Sequence, residues 1–487
     1  MSEIVTSLIN GRRVAADGGH QLPVVDPASE AVTGVLREAD AAEVDAAVSA
    51  ARKAFDGWSN MSTDRRNDIL YAIDSHLRAH GDELAELEAR TTGLPIAGIR
   101  PLMDRAAENF RRFAEVASTV SGETYTQNAQ FLTYTTREAK GVGALIAPWN
   151  APLALGSMRL ATCIAFGNTC VLKPSEQTPE STVRMVELMH EAGLPEGVVN
   201  IVNGRGSVTG EALTTHADID MIGFTGGTTT GKRIMAAAGA ALKPAILELG
   251  GKSAAIVAPD ADLDRAIDGT LLAIYASNGQ QCLGGSRILV HKSIADRFIA
   301  EFVARARKIR IGNPLDPQTE FGPLAFQGHR DHILSYIDVA RREGVEVLCG
   351  GERPAGLDKG WYVEPIVALA PNNRTRVCQE EIFGPFATFL IYSDLDEAIA
   401  IANDSAFGLV SYVWTRDLST AMACSRRIRA GTIWVNTPMM RELRAPFGGY
   451  RESGVGRDGA RHSADFFTEA KTTSIPLEDT AIRRLGA

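Results

Sequence analysis

Apolar and polar positions along the chain change their period near residue 141. Before it, Val44, Val48, Ala51, Phe55 and Trp58 recur on one helical face, behind an Asp40 and Glu43 pair that reads as a capping box. The early region is therefore expected to be rich in helix. From Val142 onward, the short apolar runs Val142–Ala147, Cys170–Leu172, Val198–Val202, Met221–Phe224 and Ala245–Leu249 alternate with helical patterns and read as strands. Strands separated by helices imply a parallel sheet covered on both faces. A second α/β set starts near Ser253, where Leu263, Ile267, Leu271 and Ile274 mark a helix that ends at Asn278-Gly279 before a strand at Ser286–Val290. Thr119–Thr136 and Thr472–Pro476 are polar and alternating, which suits an exposed β-arm in need of a partner.

Composition narrows the class. At about 100–200 residues per domain, 487 residues imply two to four domains. A net charge of −9 without a basic tract disfavours nucleic acid as a partner. The N-terminus lacks a signal-peptide pattern and no run is long and apolar enough for a bilayer, so no membrane partner and a cytoplasmic location are expected. Six cysteines without CxxC spacing suggest neither a disulfide framework nor a thiolate zinc site. His76/His80 and His329/His332 stand at helical spacing but without HExxH or a completing carboxylate, so they are assigned to solvated faces and no metal site is expected.

Several residues could carry chemistry. Cys282, in Asn278-Gly-Gln-Gln-Cys-Leu-Gly-Gly285, lies in a turn rather than on an apolar periodic face; it reads as a nucleophilic thiolate or as a small buried hydrophobe. Glu248 ends a strand before Gly250-Gly251 and is either a desolvated general base or a solvent-facing carboxylate. Asn150, after Pro148-Trp149 at a strand's carboxyl edge, could donate to an oxyanion, though Pro-Trp-Asn is also ordinary turn punctuation. Gly226-Gly227-Thr-Thr-Thr-Gly231-Lys232 opens a helix and could cradle a phosphate. It approaches a Walker A loop, but Arg233 occupies the place of the Mg²⁺-ligating hydroxyl, and the spacing also departs from G-x-G-x-x-G. Lys173 and Glu176 could bracket a ribose diol or simply form an exposed turn.

In chain order, Pro148-Trp-Asn150, Lys173-Pro-Ser-Glu176, Phe224-Thr-Gly-Gly227, Glu248-Leu-Gly-Gly-Lys-Ser253, Gly279-Gln-Gln-Cys282, Glu380-Glu-Ile-Phe-Gly-Pro385 and Pro446-Phe-Gly-Gly449 resemble the aldehyde dehydrogenase superfamily over almost the whole chain. The resemblance implies an α/β fold: a Rossmann-like NAD-binding domain (1–120 and 141–250), a second α/β catalytic domain (251–455), and an arm (121–140 and 471–487) that assembles a homodimer or homotetramer. It implies NAD as cofactor, with Lys173 and Glu176 on the adenosine ribose and Gly226, Gly227 and Gly231 at the pyrophosphate. Glu381 and Phe383 would hold the nicotinamide end, and Trp149 and Leu249 would line the cofactor site. A carboxylate at Glu176 would repel a 2′-phosphate and favour NAD⁺ over NADP⁺. It further implies that Cys282 attacks an aldehyde, that Asn150 and the Cys282 N–H hold the oxyanion, and that Glu248 activates water to release the acid.

Asp458 stands where the family often has Glu, one methylene shorter, which puts any proton-relay role in doubt. The segment Asn436–Gly449 looks like the subgroup acting on muconic-type semialdehydes, in which Arg105, Arg441 and Arg444 could anchor a carboxylate or else form surface ion pairs. Other readings are oxidation of another aromatic or amino-aldehyde, an NAD-independent thiol esterase, and a non-catalytic structural homologue.

Overall fold

A computed structural model describes residues 3–486. Two large sheets organise the chain. The first has eight strands in the order Gly454–Val455, Ala245–Glu248, Met221–Thr225, Val142–Ile146, Thr169–Lys173, Val199–Ile201, Leu8–Ile9, Arg12–Arg13. Its five central strands are parallel, and antiparallel pairings close both edges. The chain builds outward from Val142–Ile146 in one direction and then returns to its other side with Met221–Thr225. The carboxyl ends of these two neighbours are thus a topological switch point, where a crevice opens. The second sheet has seven strands, Glu346–Cys349, Ile366–Leu369, Phe386–Tyr392, Arg287–His291, Ala254–Val257, Val410–Trp414 and Thr432–Val435, all parallel except the first.

Apolar runs expected as strands are strands, with ends shifted by a residue or so. The early region departs from expectation. Five short strands between Glu3 and Arg37 precede the first helix, Ala41–Ser59. They are only two to six residues long, too short to show a period: Glu3–Val5, Val32–Arg37 and Gln21–Val25 form a small sheet of their own, and Leu8–Ile9 pairs with Arg12–Arg13 and sets Leu8 opposite Ile201. Half of the capping box forms: Asp40 Oδ1 accepts from Glu43 N at 2.9 Å, but the buried Glu43 carboxylate pairs with Arg37 at 2.6 Å instead of reaching back to the cap.

Helices Thr63–Ala79, Gly81–Thr92 and Ile96–Ala117 pack with Pro152–Ala165 and Glu180–Glu191 into one apolar core over the first sheet. A second three-stranded sheet stands apart from both cores. Thr468–Pro476, Phe131–Ala139 and Thr124–Tyr125 pair antiparallel, and most residues of the outer strand are exposed.

Candidate active site

Cys282 reaches its place through a strained turn. Helix Leu263–Tyr275 ends in a 3-10 turn, Ala276–Gly279, in which Ser277 (φ 53°), Asn278 (φ 55°) and Gly279 (φ 70°) are all left-handed. The non-glycine members of such a run cost energy and persist only when their surroundings over-determine them. Buried Asn278 supplies that restraint, donating to the carbonyls of Gly93 (3.0 Å) and Pro323 (2.8 Å) and accepting from Gly322 N (2.9 Å). Gln280 Oε1 accepts from Ala325 N at 3.0 Å, and Tyr412 donates to Leu283 O at 2.7 Å. The loop that carries the thiol is therefore pinned on both sides of it.

Three sequence-predicted residues meet at this loop. Asn150 is buried and donates from Nδ2 to Gln280 O at 2.8 Å. The turn after Glu248 lies against the Cys282 backbone, since a Cβ on Gly251 would stand 2.7 Å from Cys282 O. Glu381 Oε1 accepts from Gly251 N at 2.9 Å, and its other oxygen fills the space a side chain on Gly250 would need. Glu248 is buried, which excludes the solvent-facing alternative, and its Oε1 has no hydrogen-bond partner.

Burial dominates the electrostatics. It pushes the Cys282 thiol up to about 12, with the charges of Glu381 and Glu248 adding to the effect and Arg441 opposing it. It holds Glu248 well above the usual carboxylate range, helped by the charge of Asp458 and opposed by Arg159 and Arg441. It also raises Glu381 to about 7, against the Gly251 N–H and Lys252. Asp458 forms a buried ion pair with Arg159 at 2.8 Å, and Arg159 also donates to Thr225 Oγ1 at 3.2 Å.

Sequence reasoning missed Arg159. The signal was present, because one arginine interrupts the otherwise almost wholly apolar Leu153–Ala165, and a charge buried in such a helix needs a partner.

A cleft of about 1070 Å³ is lined by Gln281 and Leu283, the two sequence neighbours of Cys282, together with Leu102, Trp434, Phe447, Arg105 and Arg441. Arg105 Nε and Nη2 are buried without a partner. Burial and the charge of Arg441 lower this guanidinium to about 10. Arg441 lies over the Phe447 ring at 4.3 Å. Arg444 does not join them: its side chain is 72% exposed and pairs with Glu442 at 2.8 Å, outside this cleft. The sequence pattern could not separate it from Arg441, because the segment between them is irregular and has no period to assign faces.

At the switch point, buried Lys173 donates to Pro174 O (2.8 Å) and to Glu176 Oε2 (3.4 Å), and Glu176 keeps a quarter of its surface exposed. Helix Thr228–Ala240 starts at Gly227 without a side-chain cap. The three glycines of this segment differ. Gly226 is occupied by the Phe224 ring and Gly231 by the Leu249 side chain, whereas nothing lies within 4 Å of a Cβ placed on Gly227. Open N–H groups at a helix start suit a phosphate, and a lysine and glutamate at the neighbouring strand end suit a ribose, so the residues present fit a dinucleotide.

Trp149 sits edge-on to Phe383 (5.3 Å) and His329 (4.9 Å). Phe383 is left-handed (φ 59°), and its carbonyl accepts from His329 Nε2 at 2.8 Å. This corrects the assignment of His329 to a solvated face. It is buried, and desolvation lowers it to about 4, a neutral ring that fits an aromatic cluster.

A cysteine loop packed against Asn150 and the turn after Glu248, beside the switch-point crevice of a doubly wound sheet, suits a nucleotide-dependent enzyme. Comparison with known proteins narrows the class: residues 14–473 match the aldehyde dehydrogenase family, and the chain belongs to it. It is 40% identical to 2-hydroxymuconic semialdehyde dehydrogenase of Pseudomonas sp. (strain CF600) over 97% of this chain and 99% of that one. Identity is also 40% to 5-carboxymethyl-2-hydroxymuconate semialdehyde dehydrogenase of Escherichia coli, over 94% and 98% of the two chains. Among solved structures, PnpE of Pseudomonas sp. WBC-3 in complex with nicotinamide adenine dinucleotide is 42% identical, covers 99% of each chain and superposes with a TM-score of 0.96. Among the described residues no helix is long and apolar enough to cross a membrane, and no group of three or more metal-ligating side chains occurs.

Proposed function

We propose that this enzyme oxidises a carboxylate-bearing semialdehyde, of the kind released by aromatic ring cleavage, to the corresponding acid with NAD⁺. One observation carries the substrate class: of the four arginines lining the cleft that Gln281 and Leu283 border, Arg305 and Arg310 pair with Asp268 and Glu320, whereas Arg105, beside Arg441, has buried nitrogens with no protein partner. A buried, unpaired guanidinium on a cleft wall leaves a place for an anion, and its fork matches a carboxylate. The names of the two semialdehyde dehydrogenases at 40% identity support the same reading.

In this mechanism the Cys282 thiol loses its proton to water and its Sγ bonds to the aldehyde carbon as the C=O π pair moves onto oxygen. The oxygen, now an anion, accepts from Asn150 Nδ2 and from the Cys282 N–H. Lys173, Glu176 and the helix start at Gly227 would hold NAD⁺ at its adenosine and pyrophosphate parts, and Glu381 and Phe383 at the nicotinamide end. NAD⁺, when bound, would supply the acceptor for the hydride lost from that carbon, and the oxyanion's collapse to a carbonyl leaves a thioester on Cys282. Glu248 takes a proton from the water that attacks the thioester carbon, and the acid leaves as the Cys282 sulfur is released. Residues 251–455 form the catalytic unit in this reading, residues 1–120 and 141–250 the cofactor unit, and the chain works as a dimer or tetramer joined through its arm.

NADH formation from a carboxylated semialdehyde and from a neutral aldehyde of equal length tests the proposal. The acid is expected to have the higher kcat/KM, by about tenfold or more for a buried charge-assisted pair. Arg105→Ala and Arg441→Ala are expected to erase that preference while Arg444→Ala leaves it, and Cys282→Ala is expected to form no NADH. Equal kcat/KM for the two aldehydes in the unsubstituted enzyme would sink the carboxylate reading and favour another aldehyde class. Hydrolysis of activated esters without any NADH from aldehydes would sink the oxidation itself.

A further inference from the structure

Helix Pro152–Ala165 begins without a cap of its own. Ala151 precedes it, and no side chain at that position accepts from its first N–H groups. Pro152 has no N–H to offer, so Leu153 presents the first donor of the turn, and a buried donor of this kind requires an acceptor. That acceptor comes from another helix. Glu88, fully buried in Gly81–Thr92, brings Oε2 to 3.0 Å from Leu153 N and 3.4 Å from Ser181 Oγ. Its Oε1 has no partner, and burial raises the acid to about 8. Its helix neighbours Leu84, Ala85 and Ala89 belong to the apolar core, where a glutamate is costly unless its polar contact matters.

The helix that Glu88 caps begins two residues after Asn150, whose amide reaches Gln280 O beside the thiol loop. A second tie holds the following turn, with Asn109 Nδ2 donating to Ser157 Oγ at 2.9 Å. A shift of the first turn would therefore move the amide that faces the reacting oxygen. We propose that Glu88 is a positioning residue for the reaction: its carboxyl clamps the first turn of Pro152–Ala165 and so fixes the direction of the Asn150 amide. This inference rests on the reading of Asn150 as an oxyanion donor.

Three variants at Glu88 test it, each checked for fold by circular dichroism and assayed for kcat, NAD⁺ affinity by calorimetry and Cys282 alkylation rate. Glu88→Gln keeps an oxygen that can accept from Leu153 and is expected to hold kcat within about twofold. Glu88→Met keeps the length without the acceptor, and Glu88→Asp withdraws the acceptor by one methylene; both are expected to lose about tenfold or more in kcat, the scale of a misplaced oxyanion donor. NAD⁺ affinity and alkylation rate, which do not depend on the oxyanion, stay unchanged. In an Asn150→Ala background the same substitutions add no further loss. A folded Glu88→Met or Glu88→Asp enzyme with unchanged kcat overturns the proposal, as does an equal loss in the Asn150→Ala background, which would mark a general structural role. An Asn150→Ala enzyme with full kcat would instead overturn the oxyanion reading.

Discussion

Two buried carboxylates, Glu248 and Asp458, share one region of this enzyme, and only Asp458 has a counter-ion, Arg159 at 2.8 Å. Glu248 is left to bear the cost of desolvation and of its neighbour's charge, so it holds its proton well above the usual range. A base acts only when ionised, so the rate of acyl release should rise with pH as Glu248 loses its proton. Asp458→Asn removes a negative neighbour and frees the Arg159 charge, and both changes favour ionised Glu248. The rising limb of the steady-state pH profile is therefore expected to move to lower pH by about one unit, and a limb that stays or moves up would contradict the assignment. Glu248→Gln should spare the first turnover of NADH in a rapid-mixing assay and slow the following ones. A first turnover slowed to the same degree would place Glu248 before the thioester. The shorter Asp458 was readable as a departure in the sequence, but its partner was not, because Arg159 and Asp458 lie 299 positions apart and meet only in the fold.

The segment after strand Met221–Thr225 shows how much one element's sequence can and cannot say. Its glycines mark a close approach, yet the pattern gives all three the same meaning, while the structure separates them by what stands opposite. Gly231 makes room for Leu249 and Gly226 for Phe224; Gly227, at φ −70°, faces open space at the helix start. Gly231→Ala is expected to lower stability by about 1–3 kcal/mol through overpacking, read as a drop in Tm without cofactor. Gly227→Ala fits its backbone and should leave that Tm unchanged while weakening NAD⁺ binding in calorimetry, because its methyl group enters the space proposed for the pyrophosphate. Unchanged affinity in Gly227→Ala would move the cofactor away from this helix start. Strands such as Val142–Ile146 were legible because each buries an unbroken apolar run, a local property. The strands before Arg37 were not, since each is only two to six residues long, too short a run to show a period.

At the scale of the whole molecule, the arm is a sheet with no core of its own. A three-stranded ribbon open to water on both faces is marginal unless something packs on it. Its outer strand, Thr468–Pro476, has one unpaired edge, the kind of feature that recruits a further strand or surface. Apolar groups cluster there. Ile475 lies directly opposite Leu132, both more than a third exposed, and Leu477 beyond them is 60% exposed. Such a patch on a projecting ribbon is better explained by a second copy of the chain than by solvent. The polar alternation of these stretches announced an arm in the sequence, but not which residues it leaves bare, because that depends on the register of Thr468–Pro476 against Phe131–Ala139. Ile475→Lys with Leu477→Lys places two charges on the patch and leaves the backbone ladder of the ribbon intact. Light scattering coupled to size exclusion should then show a smaller particle than the unsubstituted enzyme, with the same circular dichroism spectrum. An unchanged mass would mean that the arm is not the joint, and a monomeric unsubstituted enzyme would mean that its exposed edge is protected in some other way.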